Sequence, residues 1–385
     1  MTDHSETIAQ LRETVKRVCD EFPGEYWRAK DRERQYPTEF VHALTELGLL
    51  AALIPEEYGG SGLPLSVGGE ILKAIHEFGA NAGACHAQMY TMGTVLRHGN
   101  AEQKAQYLPA VARGELRLQA FGVTEPTAGT DTTSISTFAM RKGDRYVVNG
   151  QKIWTSRAEQ SDLMVLLART TPKDQVKRKT EGLSLFYTDL DRRYVEVREI
   201  PKMGRKAVDS NAVFYDGLPV PKEDLIGEEG KGFHYILHGL NPERILIAAE
   251  AVGLGRAALN RAVNYAKERV VFGRPIGQNQ GIAHPLAKCW VELEAAELLA
   301  YKAAFLYDAK LECGAQANAA KYLCAEAGFH ACETAVLTHG GMGYAKEYHV
   351  ERYLREVMIP RIAPVSREMI LNFIAEKVLG LPRSF

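Results

Sequence analysis

Residues 121–134 read FGVTEPTAGTDTTS, and the character of the chain changes at this point. Upstream, ETIAQLRETVKRVCDEF, PTEFVHALTELGLLAALI and SVGGEILKAIHEFGANAG carry apolar residues at mixed three- and four-residue intervals, the period of amphipathic helices. PEEYGGSGLP between them reads as a loop from its Gly and Pro content. Downstream, RYVVNGQKIWTS, DLMVLLART, GLSLFYTDL and NAVFYDGLPVP are short, β-branched and aromatic, and bounded by turn residues. No helix-length pattern lies between most of them, so an antiparallel barrel or sandwich is expected rather than a parallel sheet. Longer helical patterns then return, from PERILIAAEAVGLGRAALNRAVNYAKERV to ANAAKYLCAEAGFHACETAVLTHG, with Ala and Gly permitting close helix approach. The expectation is an α+β multidomain chain, with a helical domain over 1–120, a β domain over 121–230 and a C-terminal four-helix bundle over 231–385.

The bulk properties narrow the function. A chain of 385 residues, 46% hydrophobic and 25% charged, has the composition of a soluble protein with a sizeable core. A formal net charge of −1 gives no support for a nucleic-acid surface. No apolar run is long enough to span a bilayer, and the N-terminus lacks the basic and apolar regions of a secretory signal. Six cysteines without a CxxC pair argue against a zinc site or a disulfide framework, and fit reduced thiols in a cytoplasmic protein. His234 and His238 stand four apart on a helical pattern but have no evident third ligand, so no metal is expected. THGGMG follows a helix rather than a strand, which argues against a dinucleotide fingerprint. Cys85 and His86 adjoin but point differently on a helix, so a Cys–His catalytic pair is not expected.

The 121–134 loop offers many backbone and hydroxyl donors in a small space, suited to a polar cofactor or a phosphate. The same composition also suits a plain Thr-rich connection. Some twenty residues later GQKIWTS places Trp154 and Ser156 near a strand end, where an indole beside a hydroxyl could wall a flat aromatic ligand or simply fill a core.

GVTEPTAGTDTTS at 122–134 resembles the first signature of the acyl-CoA dehydrogenases, with KIWTS, RVVFGRPIGQNQ at 269–280 and GGMGYAKEYHVERYLRE at 340–356 following in the family's order. The resemblance covers roughly residues 5 to 380. It implies FAD held without a Rossmann fold, with Phe121, Val123 and Thr124 near the flavin ring, Trp154 against its face and Ser156 beside the hydride-accepting nitrogen. Thr130 would serve the pyrophosphate or the thioester. Arg269, Phe272 and Gln280 would reach the FAD of a neighbouring subunit, and Gly340, Gly341, Ser366 and Glu368 would line the cofactor. An isolated reading of Arg269 is instead a cation at a helix C-terminus. Leu337 replaces the family's usual Gln, which puts one hydrogen bond on the adenosine side in doubt. The resemblance also implies a homodimer or homotetramer that passes electrons to an electron-transferring flavoprotein.

The implied reaction is α,β-dehydrogenation of an acyl-CoA, for which a carboxylate must remove the α proton. Most members carry that Glu near the C-terminus, but the matching position in IAPVSRE is Pro364. A minority, the isovaleryl-CoA and long-chain types, place it on the long helix before an Arg. Glu243 and Arg244 in NPERILIAAEAVG (241–253) occupy that place. Glu243 is therefore expected to be the base, Arg244 to position it or meet the ligand, and Asn241 to contact substrate. Asn241 and Pro242 read as an N-cap and first-turn proline. Met89, Tyr90 and Met92 either narrow an acyl pocket towards short, branched or cyclic groups or fill the core. No Arg or Lys lies in residues 85–95 to meet a dicarboxylic acyl group. The alternatives are an acyl-CoA oxidase or flavin monooxygenase on the same scaffold, and a non-catalytic acyl-CoA-binding protein.

Overall fold

The computed structural model describes residues 4–383. Its first block is helical: α1 (Ser5–Glu21), α2 (Gly24–Glu33), α3 (Thr38–Glu46), α4 (Leu65–Glu77), α5 (His86–His98) and α6 (Ala101–Ala112). α4 is buried from Leu65 to His76 apart from Ser66, because α1 packs on one side and the C-terminal helices on the other. Its first amides, Leu65 and Ser66, donate to the carboxylate of Asp308 at 2.8 and 3.1 Å, which satisfies donors that a helix start leaves unpaired.

The middle block contains β1 (Leu118–Gly122), β2 (Phe138–Lys142), β3 (Arg145–Ser156), β4 (Leu163–Arg169), β5 (Leu183–Asp189), β6 (Val195–Glu199), β7 (Ser210–Pro221) and β8 (Leu225–Ile226). They form one sheet in the order β6-β7-β3-β2-β4-β5-β8, with β1 added alongside β4. Most pairings are antiparallel, as the patterning predicts, but β1 runs parallel to β4 and β2 touches β4 in parallel. β2 and β3 intervene in sequence and supply the crossover that a parallel pair requires. Every residue of β4 is buried.

The last block holds α7 (Gly232–Glu268), a two-stranded ribbon of β9 (Val270–Val271) and β10 (Arg274–Pro275), then α8 (Gln280–Asp308), α9 (Gly314–His339), α10 (Val350–Val357), α11 (Ile359–Ile362) and α12 (Arg367–Phe373). α7, α8 and α9 are long, and the shorter α10 completes the helical domain against α9 and α7. The small residues act as expected: a Cβ on Gly255 would lie 3.0 Å from the Cα of Gly328, so α7 and α9 meet backbone to backbone.

One expectation fails. Asn241 and Pro242 do not open a helix; they lie inside α7, which starts at Gly232. Ile236 is buried and Gly232 seats against Ser184 and Leu185, so packing carries the helix through the proline. Glu243 therefore stands three turns inside the helix, beyond the reach of its N-terminal dipole.

Candidate active site

The 122–134 loop is shaped by a buried ion pair. Lys152 of β3 donates to the Glu125 carboxylate at 2.8 Å and to the Val123 carbonyl at 3.0 Å. Glu125 also accepts from the amides of Ser136 and Thr137 at 2.6 and 3.0 Å. Both side chains are buried. Despite its burial, Glu125 is held down at about 2 by Lys152 and these hydrogen bonds, while burial lowers Lys152 to about 8. Thr124 accepts from the Ile153 amide at 2.8 Å, which ties the loop to β3. Among the described residues the amides of Val123, Thr124, Gly129 and Thr130 have no acceptor. Phe121 lies on β1 with its ring 6.2 Å from that of Tyr90.

Trp154 has φ of 62° and is 55% exposed, where the β3–β7 register slips between Lys152 and Thr155. The indole is therefore turned out of the strand and fills no core. Ser156, closing β3, has its hydroxyl 3.3 Å from that of Ser210. Next to it, Arg157 is buried and donates to the Gly83 carbonyl at 2.6 Å.

Glu243 is buried. Burial pushes its carboxyl up to about 7, against the pull of Arg244, Arg157 and Lys321, with Glu250 reinforcing burial. The Arg244 guanidinium donates to the Asn241 side chain at 2.9 Å, while its Nε has no partner. Lys321 of α9 is lowered to about 8, chiefly by burial and then by Arg244, and its ammonium donates to the Val365 carbonyl at 2.6 Å. The ammonium thus bonds the Pro364 loop, where no acid stands, and acts on Glu243 only through its charge.

A small cavity beside Pro242 is lined by Tyr90, Thr94, Arg97, His238 and Tyr307 among others. Arg97 follows the 85–95 stretch and lies in this lining. Met89 and Met92 are core residues; Tyr90 borders the cavity. His238 pairs with His98 at 3.3 Å, and no cluster of three or more metal-ligating residues exists among the described residues. Cys85 is buried and raised to about 12 by that burial, which leaves it an inert thiol. All six cysteines are free and buried.

The remaining predicted positions do not meet Glu243 within one chain. Arg269 caps the end of α7 and is exposed, and Gln280, also exposed, opens α8. Phe272 is fully exposed at φ 51°, and Leu337 is 73% exposed. Around Gly340 and Gly341 a Cβ would find open space. Ser366 caps α12 by accepting from the Met369 amide, and the exposed Glu368 carboxylate pairs with Arg367.

Three acyl-CoA dehydrogenase domain descriptions match in order: the N-terminal domain over residues 5–115, the middle domain over 120–218 and the C-terminal domain over 230–379. The chain belongs to the acyl-CoA dehydrogenase family. It is 38% identical over 403 residues to acyl-CoA dehydrogenase FadE12 of Mycobacterium tuberculosis, covering 100% of both chains. It is similar to a glutaryl-coenzyme A dehydrogenase solved with glutaryl-CoA (TM-score 0.93, 31% identity, 100% of this chain and 98% of that one). Butyryl-CoA dehydrogenase from Megasphaera elsdenii matches at TM-score 0.92 and 28% identity, over 98% and 100% of the two chains.

The protein is thus an acyl-CoA dehydrogenase, and its cofactor, as for the family, is FAD. The chain's own features fit that group: unpaired amides in the 122–134 loop, an indole turned out beside them, and open space over a glycine pair. No helix among the described residues is long and apolar enough to cross a membrane. Sequence reasoning missed Arg157, Lys321, Glu250 and the Glu125–Lys152 pair. Arg157 directly follows Ser156, and Glu125 and Lys152 lie inside the quoted motifs, whereas Lys321 and Glu250 had no local signal.

The raised carboxyl has a consequence for stability. Between its ordinary 4.5 and about 7 the folded chain holds a proton on Glu243 that the unfolded chain has released. Stability therefore falls as pH rises through that window, by roughly 3 kcal/mol once both states are ionised. Glu243→Gln is expected to raise the melting temperature at pH 8 and to change it little at pH 4. An equal effect at both pH values in calorimetry would contradict the buried, proton-holding carboxyl.

Proposed function

We propose that this acyl-CoA dehydrogenase removes hydrogen from the α and β carbons of an acyl-CoA thioester to give the trans-2-enoyl-CoA, with Glu243 as the base. The observation that carries this reading is a buried carboxyl whose proton affinity lies near neutrality, where a base is efficient. FAD, when bound, supplies the acceptor for the hydride that leaves the β carbon.

The chain's residues divide the remaining work. Val123, Thr124 and Thr130 offer backbone and hydroxyl donors, and Phe121 and Trp154 offer aromatic faces to the flavin. Ser156 brings a hydroxyl to the same end of β3. Arg244 and Asn241 hold the helix surface beside the base, and Thr130 and Asn241 would also meet the substrate. Arg269, Phe272 and Gln280 lie far from Glu243 on an exposed ribbon and helix start, so they suit the FAD of a second copy, where a guanidinium fork matches a pyrophosphate. Leu337, Gly340, Gly341, Ser366 and Glu368 would complete that adenosine side, Leu337 through apolar contact only.

A homodimer or homotetramer follows from this division, supported by the exposed apolar side chains of Phe272, Leu337, Val291 and Leu298. Phe272→Asp is expected to lower the assembly's size in gel filtration and its bound flavin together. Full flavin content in a variant of unchanged size would contradict a cross-subunit role. We assign the electrons to an electron-transferring flavoprotein and the chemistry to the cytoplasm, in keeping with the six reduced thiols. We favour a short, branched or cyclic acyl group over a long chain because Tyr90 stands beside Pro242, next to the proposed base.

The experiment is an anaerobic titration with a panel of acyl-CoAs, with flavin absorbance as the readout. Bleaching by short or branched acyl-CoAs, with slow reoxidation by O₂, is expected. Fast reoxidation would favour an oxidase, and absence of bleaching with every acyl-CoA would overturn the dehydrogenase reading.

A further inference from the structure

α5 and α7 run antiparallel, and their facing side chains form a ladder. A Cβ on Gly239 would lie 3.4 Å from the Thr94 hydroxyl, Tyr90 borders the same cavity as Pro242, and His86 bonds Glu250. Glu243 and Glu250, seven residues apart, therefore lie on one face of α7, about 10 Å apart along the axis. Glu250 is completely buried, and three elements hold it: His76 of α4 at 3.2 Å, His86 of α5, and Arg205 from the β6–β7 connection at 2.9 Å. This cluster joins all three blocks of the chain two helical turns beyond Glu243.

We propose that Glu250 is a positioning residue for the reaction, its fixed buried charge offsetting the cations around Glu243 so that the base can accept and hold a proton. The proposal rests on Glu243 being the base. The groups acting on Glu243 are Arg244 on its own helix, Arg157 from the end of β3, Lys321 from α9, and Glu250; Tyr90 from α5 faces it too. Three are cations and one is an anion. Around Glu250 itself stand His76, Cys85, His86, Tyr90 and Arg205. Arg205 and both imidazoles favour its ionised form, and burial holds His86 down at about 4, so its ring stays neutral at working pH. Arg205 pairs with Glu250 at 2.9 Å and offsets part of its charge, so the effect reaching Glu243 is smaller than that of a lone carboxylate.

The test is the pH profile of flavin reduction by acyl-CoA in the holoenzyme. Its acid limb reports ionisation of the base. Removing a negative charge makes the proton leave more readily, so Glu250→Gln moves that limb to lower pH. The expected change in dissociation constant is about threefold to tenfold, the scale for unit charges about 10 Å apart in a protein interior. A merely structural role would lower rate or stability at every pH without moving the limb. Glu250→Asp, which keeps the charge, restores the wild-type midpoint. If Glu250→Gln does not fold, Glu250→Gln with Arg205→Met leaves no unpaired buried charge and shifts the limb the same way by less. An unmoved limb in the folded variants overturns the proposal. Glu243→Gln in parallel separates the two failures: if that variant still reduces flavin with the acid limb intact, it is the assignment of the base that has failed.

Discussion

Glu243→Gln is expected to cut the rate of anaerobic flavin reduction by acyl-CoA at least about a thousandfold, within the range that a positioned base contributes. Flavin content and acyl-CoA binding should stay near wild type, because glutamine keeps the shape and fills a site that already holds a neutral acid below about pH 7. The physical ground is the absence of a substitute. The position where most of the family carries its acid is Pro364, and Lys321 donates to the Val365 carbonyl beside it. Glu368 is exposed and paired with Arg367. Stopped-flow absorbance measures the rate, and activity within tenfold of wild type would remove Glu243 from the reaction.

Lys152→Met is expected to destabilise the fold by about 3–5 kcal/mol and to strip bound flavin, because it leaves the Glu125 carboxylate buried without its cation. The double variant Lys152→Met with Glu125→Gln should recover much of that loss, since no uncompensated charge remains. The pair also has a definite pH signature. Glu125 is lowered from 4.5 to about 2, so its contribution is full above the unfolded value and is lost as pH falls through that window. Chemical denaturation at pH 7 and pH 3, with flavin absorbance in parallel, checks both statements. A Lys152→Met variant as stable as wild type, with its flavin intact, would contradict them.

The block order was legible because side-chain periodicity changes near residues 121 and 231, and periodicity is local. What patterning could not reveal was pairing over distance: β1 lies parallel to β4 through contacts some forty-five residues apart, between Leu118 and Leu163. The reading of Asn241–Pro242 as a helix start failed because a first-turn proline and an interior proline look alike when the packing of Ile236 and Gly232 is unknown. Among the proposed site residues, Glu243 and Trp154 stand in motifs, whereas Lys321 sits in an Ala-rich helix with nothing nearby to mark it. Glu125 stood inside the quoted loop, yet its meaning depends on Lys152, twenty-seven residues later, and on the amides of Ser136 and Thr137. Glu250 has the same character: its partners come from three separate elements.

The central claim is most directly tested by a crystal structure of the holoenzyme with a bound acyl-CoA analogue that cannot be oxidised. The distance to measure runs from the Glu243 carboxyl oxygens to the α carbon. A separation of about 3–3.5 Å, with the flavin on the opposite face of the acyl group, is the predicted result. A Glu243 side chain turned away from the ligand, with another acid against the α carbon, would contradict the account.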